Sequence, residues 1–161
     1  TYGVLHQPDY RVRYADNLKR DLPRIPFMPN FNQFNQAGRR LAALHLDYET
    51  VEPYPLEFVW AKNKPALYRV EKKMALSKDK TAVVVNPALT LRGVPPEALT
   101  YTLGGRSALE WVIDQYQVRT DKRSGITSDP NQYSEDARYI VDLVGRVVRV
   151  SVETAAITDG L

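Results

Sequence analysis

Cysteine is absent from the 161 residues of the chain, which excludes disulfide bonds and thiolate metal sites. This composition suits a reducing compartment, so we expect a cytoplasmic protein. No apolar run approaches the roughly 20 residues that a membrane helix needs, so no membrane partner is expected. The N-terminal segment Thr1–Leu5 lacks the basic and apolar parts of a signal peptide, and it lacks an initiator methionine. We therefore expect this sequence to be a piece of a longer protein.

Motifs for catalysis are also missing. The two histidines, His6 and His45, stand alone, without the short ligand spacing of a transition-metal site. Neither a nucleophile elbow nor a phosphate-binding loop is present. The tetrapeptide at 86–89 is superficially similar to the Asn-Pro-Pro-Tyr type of adenine methyltransferases, but its third and fourth residues differ, and we interpret it as a turn. We expect no catalytic residue, no metal and no cofactor in this chain.

Charge and composition set the class of protein. The sequence holds 43% hydrophobic and 25% charged residues, which is ordinary for a globular protein, and its length suits one domain. Lysine and arginine number 22 against 19 acidic residues, a net charge of +3. This mild basic excess permits a polyanionic partner without requiring one.

Four helices are predicted from apolar spacing and from start and stop signals. They run from Pro8 to just before Pro23, from about Asn32 to Asp47, from Ser107 to Tyr116, and from Ser134 to about Val148. The segment Val150–Val152 beyond the last helix fits either a helix or a strand, because β-branched residues favour strands.

Between these helices the pattern is that of short strands. Alternating or β-branched stretches at 56–60, 67–70, 81–85 and 90–92 are separated by turn formers. The pair Gly104-Gly105 suits either a tight turn that needs glycine or an anion-binding nest of backbone amides. The predicted fold is α+β, with a small antiparallel sheet in the middle of the chain flanked by N- and C-terminal helices.

A cationic segment follows the sheet. Arg106 precedes the third helix, and the polar loop after that helix carries Arg119, Lys122, Arg123 and Ser124. Arginine can grip a guanine edge or a phosphate with two hydrogen bonds, and lysine, serine and backbone amides suit phosphate. The alternative interpretation is that Arg106 pairs with an acid of its own helix, Asp114 or Glu110, and that the loop charges are only solvated.

The residues from Arg106 to Asn131 resemble the signature of the C-terminal specificity domain of type ISP restriction-modification enzymes and of related large chains described as predicted helicases. The segments at 2–11, 14–20 and 22–26 are similar to the stretch that follows the methyltransferase core in those proteins, and the 139–154 segment also fits. The resemblance spans nearly the whole chain in order.

This resemblance implies a parent chain with a nuclease, an ATP-driven motor and an adenine-N6 methyltransferase. S-adenosylmethionine, ATP and magnesium would bind there and not in this piece. The 161 residues would be a single target-recognition domain, with 1–29 as a helical connector from the methyltransferase core and 30–161 as the recognition body. Its expected partners are double-stranded DNA and the methyltransferase core of the same parent chain.

The resemblance also bears on the roles of individual residues. Residues shared by readers of different sequences suit scaffold or backbone contacts, so Arg106, Asp114 and Tyr116 are predicted to brace the fold, and Lys122 and Ser124 to touch phosphate. Base contacts are predicted from the middle of the chain. The full predicted DNA-binding set is Arg106, Arg119, Lys122, Arg123, Ser124, Lys62, Lys64, Arg69, Lys72, Lys73 and Arg92, with Asn63, Lys78 and Lys80 as further candidates.

Three alternatives to DNA reading remain at this point. The lysines of the middle segment can instead be a solvated sheet edge that prevents aggregation. The domain can also be a structural module that docks onto a helicase or methyltransferase core, with the tyrosine-rich N-terminus and the proline-rich connector as its arm. An independent enzyme is the weakest alternative, because no acid, base and nucleophile are grouped in the sequence.

Overall fold

A four-stranded antiparallel sheet lies in the middle of the chain, as predicted. The computed structural model describes residues 1–161. Its helices are α1 (Tyr2–His6), α2 (Pro8–Arg13), α3 (Ala15–Leu18), α4 (Phe31–Leu46), α5 (Ala108–Gln115) and α6 (Tyr139–Asp159). Its strands are β1 (Glu57–Trp60), β2 (Ala75–Leu76), β3 (Ala82–Val84), β4 (Leu89–Arg92), β5 (Thr102–Leu103), β6 (Arg106–Ser107), β7 (Arg119–Thr120) and β8 (Thr127–Ser128). Short 3-10 helices cover Pro96–Leu99 and Pro130–Gln132. The predicted α+β class is confirmed.

The sheet has the order β1-β4-β3-β2, and every neighbouring pair is antiparallel. The strand predicted over 67–70 is wrong, and β2 takes the edge position instead. The reason is a side chain: the amide of Asn131 accepts from the Val70 backbone N–H at 2.9 Å and donates to the Val70 carbonyl at 2.8 Å. Asn86 likewise donates to the carbonyls of Leu67 and Arg69. These amides satisfy the backbone groups that a neighbouring strand would otherwise bond.

The main core lies between the sheet and the two helices α5 and α6. Leu91 of β4, Leu109 of α5 and Val144 of α6 are fully buried in it. The longest helix, α6, also packs against α4, where Leu41 meets Val150 in a second cluster. The segment 150–152 is helical because this burial outweighs the strand preference of valine.

The last helix begins later than predicted. It starts at Tyr139 and not at Ser134. The hydroxyl of Ser134 accepts from the Asp136 N–H at 3.1 Å, and the Asp136 carboxylate accepts from the Arg138 N–H at 2.8 Å. Such local side-chain bonds hold the backbone in turns that compete with a helix.

The N-terminal helix predicted from Pro8 to Pro23 is two short helices, α2 and α3, and the N-terminal region holds three with α1. The first precedes Pro8, and Tyr14 interrupts the stretch with φ −110° and ψ 19°. Helix α1 packs directly on α4, where a Cβ added to Gly3 would lie 2.6 Å from the Phe34 carbonyl oxygen. Glycine is therefore required at this crossing. The division of the chain near residue 29 stays a prediction.

Candidate nucleic-acid interface

Every member of the predicted DNA-binding set is solvent-exposed in the folded chain. The structure distributes these residues over three places. Most of them lie on one surface, which we call the hairpin face and define as residues 69–73, 106–114 and 117–131. Lys62 and Lys64 follow β1. Arg92 is the last residue of β4 and pairs with Glu57, the first residue of β1. It therefore lies at the opposite end of β1 from Lys62 and Lys64.

Polar anchors join the separate segments of the hairpin face. The guanidinium of Arg69 donates to the Asp129 carboxylate at 2.7 Å, and the Val118 N–H donates to the Glu71 carbonyl at 3.0 Å. Asn131 adds its two bonds to Val70. The hydrogen bonds from Asn131 and Arg69 lower the pKa of Asp129, so this carboxylate stays charged at neutral pH. The β7–β8 hairpin is thus fixed to the body at its base.

Helix α5 supplies a second anchor. It begins with a capping box in which the Ser107 hydroxyl accepts from the Glu110 N–H at 3.2 Å and the Glu110 carboxylate accepts from the Ser107 N–H at 2.9 Å. Near the end of α5, the Asp114 carboxylate forms ion pairs with Lys73 Nζ at 2.5 Å and with Arg106 Nη1 at 3.4 Å. The hydrogen bond from Lys73 is the main reason that the pKa of Asp114 is lowered. The sequence left two interpretations of Arg106, and the one in which it pairs with Asp114 is therefore present.

The tip of the β7–β8 hairpin is organised by one carboxylate. Oδ1 of Asp121 accepts from the backbone N–H groups of Arg123 and Ser124 at 3.0 and 2.7 Å, and from the Ser124 hydroxyl at 2.9 Å. The Gly125 N–H donates to the Asp121 carbonyl at 2.9 Å, and Gly125 has a φ of +70° that favours glycine. The amide and hydroxyl donors of Ser124 thus already have a partner within the loop. The side chains of Lys122 and Arg123 are the groups that remain for an outside anion.

The balance of charge on the hairpin face follows from these bonds. Four of its carboxylates bond to caps, turns and anchors of the face itself, namely Glu110, Asp114, Asp121 and Asp129, whereas the Glu71 side chain is 73% exposed and contacts only Arg69. Four of its cations form no ion pair: Lys72, Arg119, Lys122 and Arg123. Arg119 instead donates to the Asp114 carbonyl at 2.8 Å. The positive charge left toward solvent is concentrated at the hairpin and the adjoining Lys72.

A second group of cations lies at the other end of the sheet. The turn between β2 and β3 carries Lys78 and Lys80, and β3 begins opposite Arg92 of β4. Lys80 has a positive φ of 59°. The structure therefore separates Arg92 and this turn from the turn that carries Lys62 and Lys64.

Trp111 and the glycine pair complete the neighbourhood of Arg106. The Arg106 guanidinium lies 5.4 Å from the centre of the exposed Trp111 ring, whose Nε1 donates to the Leu103 carbonyl at 2.8 Å. Trp111 is absent from the predicted set, although an aromatic residue on the helix after Arg106 was the available signal. Gly104 and Gly105 both have positive φ, at 59° and 89°, and join β5 to β6. Of the two interpretations for this pair, the tight turn is present.

The structure also brings together the two histidines that are far apart in sequence. The ring centres of His6 and His45 lie 5.2 Å apart, and His45 stacks on Tyr101 at 5.0 Å. Both ring nitrogens of His45 are bonded, Nδ1 to the Tyr2 hydroxyl at 2.7 Å and Nε2 to the Thr154 hydroxyl at 2.8 Å. Burial, followed by the charge of His6, lowers the pKa of His45 from 6.5 to about 4.

This histidine pair predicts a pH-dependent stability. The pKa of His45 is lower in the fold than in the unfolded chain, so its contribution is complete above pH 6.5 and is lost progressively as the pH falls toward 4. Burial also lowers the pKa of His6, which acts in the same direction. Urea unfolding at pH 5 should give a free energy of unfolding about 1 kcal/mol below that at pH 7.5 from His45 alone, because solvent around the half-buried ring reduces the full linkage value of about 2 kcal/mol. In the variant His45→Gln, the free energy of unfolding should fall by about this amount less between pH 7.5 and pH 5. An unchanged pH dependence of stability would contradict the lowered pKa of His45.

The family model of the type ISP C-terminal specificity domain matches residues 1–143. Three solved structures are similar over 99% of this chain. The first is a nuclease-deletion mutant of the type ISP restriction-modification enzyme LlaGI in complex with a DNA substrate mimic, with 42% identity and a TM-score of 0.88. The second is the ATP-dependent type ISP enzyme LlaBIII bound to DNA, with 36% identity and a TM-score of 0.89. The third is a DrdV–DNA complex, with 36% identity and a TM-score of 0.84.

The chain spans only 13%, 10% and 17% of the lengths of those three chains. No curated protein matches it. None of its helices has both the length and the apolar character needed to cross a membrane. The family match over most of the chain and the identity along its full length agree with the resemblance seen in the sequence. The chain therefore belongs to the type ISP C-terminal specificity domain family.

Proposed function

We propose that this domain reads the target sequence on double-stranded DNA for a type ISP restriction-modification enzyme. The observation that carries the proposal is the match over 99% of the chain to LlaGI, LlaBIII and DrdV, three structures that contain DNA or a DNA mimic. The hairpin face supports it, because Asp114, Asp121 and Asp129 are engaged internally while the side chains of Lys122 and Arg123 form no ion pair. Cations on a fixed loop are suited to phosphate contacts that set the register of a reader on the duplex.

The proposal assigns chemistry to the rest of the protein and recognition to this domain. The parent chain would carry the adenine-N6 methyltransferase, the nuclease and the motor, with S-adenosylmethionine, ATP and magnesium bound there, in the cytoplasm. Lys122, Arg123 and Arg119 of the hairpin would hold phosphates. Base edges would be read from the sheet turns and the segment beside β2, by Lys62, Lys64, Arg69, Lys72, Lys73 and Arg92.

The test is a titration of the full-length protein with two duplexes. Mapping of methylated adenines in cells that express the protein identifies the motif, and a 40-bp duplex with that motif is compared with a scrambled duplex. We expect tighter binding of the motif duplex by at least about a hundredfold, together with a steep loss of affinity as salt rises. Equal affinity for the two duplexes would contradict the proposal.

A docking module is the second candidate function, and one observation favours it. Leu22, Phe27 and Phe31 are strongly exposed on and beside the connector between α3 and α4. Apolar side chains that are grouped on a surface are typical of a protein contact. If docking is the only role, replacing Leu22 and Phe27 by serine should separate the domain from the rest of the protein, while changes on the hairpin face should leave the choice of DNA sequence unchanged.

A further inference from the structure

One residue of the hairpin face contacts cations from three different segments. The Asp114 carboxylate lies 2.5 Å from Lys73 Nζ, which belongs to the extended segment before β2. It lies 3.4 Å from Arg106 Nη1, which belongs to β6. The backbone carbonyl of the same residue accepts from Arg119 Nη2 of β7 at 2.8 Å. Three elements that are separate in the chain therefore present their charges around a single point.

The position of Asp114 is itself well fixed. It lies near the end of α5, next to the buried Ile113, and the helix is held at its start by the capping box of Ser107 and Glu110. Arg106 is further restrained by its stacking on Trp111. A lysine or arginine that is free in solvent loses rotamer freedom when it binds, whereas one that is already held has lost much of that freedom beforehand.

Asp114 is also a negative charge on a surface proposed to bind a polyanion. If it acted only through its charge, it would weaken DNA binding by repulsion. If it acts through the side chains that it holds, its removal releases Lys73 and Arg106 and weakens binding. The two accounts predict opposite changes in DNA affinity when the Asp114 carboxylate is removed.

We propose that Asp114 is a positioning residue for DNA recognition, which holds Lys73, Arg106 and Arg119 in the arrangement that meets the duplex. This inference rests on the proposed function. It adds a role for an acidic residue whose charge alone would favour the opposite effect.

The test replaces Asp114 by asparagine in the full-length protein. We expect the affinity for the 40-bp motif duplex to fall at least about fivefold, and the slope of log affinity against log salt to become shallower by about one unit. The matched control is Asp16→Asn, which removes a carboxylate paired with Lys19 at 3.1 Å, a lysine outside the predicted DNA-binding set. This control should bind as tightly as the wild type or slightly tighter, and melting temperatures should confirm that both variants are folded.

An Asp114→Asn variant that binds like Asp16→Asn, with unchanged or tighter affinity, overturns the positioning role and leaves the proposed function standing. A wild-type protein without preference for the motif overturns the proposed function itself. The variant Asp114→Glu keeps the charge and lengthens the side chain by one methylene, so it should fall between wild type and asparagine. If the asparagine variant does not fold, a glutamate variant with wild-type affinity and slope overturns the role, and a shallower slope supports it.

Discussion

Shortening Leu91 to alanine is expected to lower the free energy of unfolding of the domain by about 2–5 kcal/mol. Leu91 is 0% exposed and lies on β4, the strand that pairs with both β1 and β3. The substitution removes three carbon atoms from a packed site between the sheet and α6, and the surrounding side chains close the cavity only in part. Thermal unfolding should show a decrease of about 4–20 °C, since each kcal/mol shifts the midpoint by about 2–4 °C at this size.

Leu46→Ala is the matched control for this change. Leu46 ends α4 and is 81% exposed, so the same atoms are removed from water and not from the core. Alanine is also the residue with the highest helix propensity. Its free energy of unfolding should stay within about 0.5 kcal/mol of the wild type. Equal losses for the two variants would show that the sheet–helix core does not carry the stability that its burial implies.

The second large effect is expected at the hairpin tip. Replacing Lys122 and Arg123 together by serine should weaken binding of the full-length protein to the motif duplex by about tenfold or more at low salt. Each lost phosphate contact should also reduce the slope of log affinity against log salt by about 0.9. Both side chains are exposed and form no ion pair, so their removal leaves no buried group unsatisfied, and the melting temperature should not change.

The chain offers a control of identical composition for this double variant. Lys19 and Arg20 are also adjacent and exposed, but they lie after α3, at the N-terminal side of the molecule. Their replacement by serine removes the same net charge. We expect a decrease in affinity of less than about threefold. Equal decreases for the two pairs would mean that binding responds to total charge and not to the hairpin face.

The helices could be predicted where the local signals are strong. In α4 the buried positions Phe34, Ala37, Leu41 and Leu44 repeat at helical spacing, and α5 starts at a serine followed three residues later by a glutamate. The α+β class followed from these helices and the β-branched stretches between them. These features depend on residues close in sequence.

The errors come from contacts between residues far apart in the chain. The 67–70 segment has a strand composition, but Asn131, 61 positions later, takes both backbone groups of Val70. The valines at 150 and 152 are helical because Val150 packs in the cluster with α4 and Val152 packs against the main core, and no local pattern reports that packing.

The candidate site divides in the same way. The exposure of the cations could be predicted from their charge. The family resemblance identified the segment from Arg106 to Asn131 as the signature of the domain. The Lys73–Asp114 ion pair could not be predicted, because the two residues come from segments that only the fold brings together, whereas the Arg106–Asp114 pair was one of the alternatives that the sequence left open. An acid followed closely by serine, as in Asp121 to Ser124, is a turn signal that would have identified the organiser of the hairpin tip.

Exchange of the middle of the domain tests the central claim most directly. Residues 50–100 of the full-length protein are replaced by the corresponding segment of LlaGI, whose matching region is 42% identical over this chain. The methylated motif is then mapped in cells that express the chimera. The account predicts that the motif changes at one or more positions toward that of the donor, because this segment carries the proposed base readers. A correctly assembled, active chimera that methylates the original motif unchanged would contradict it.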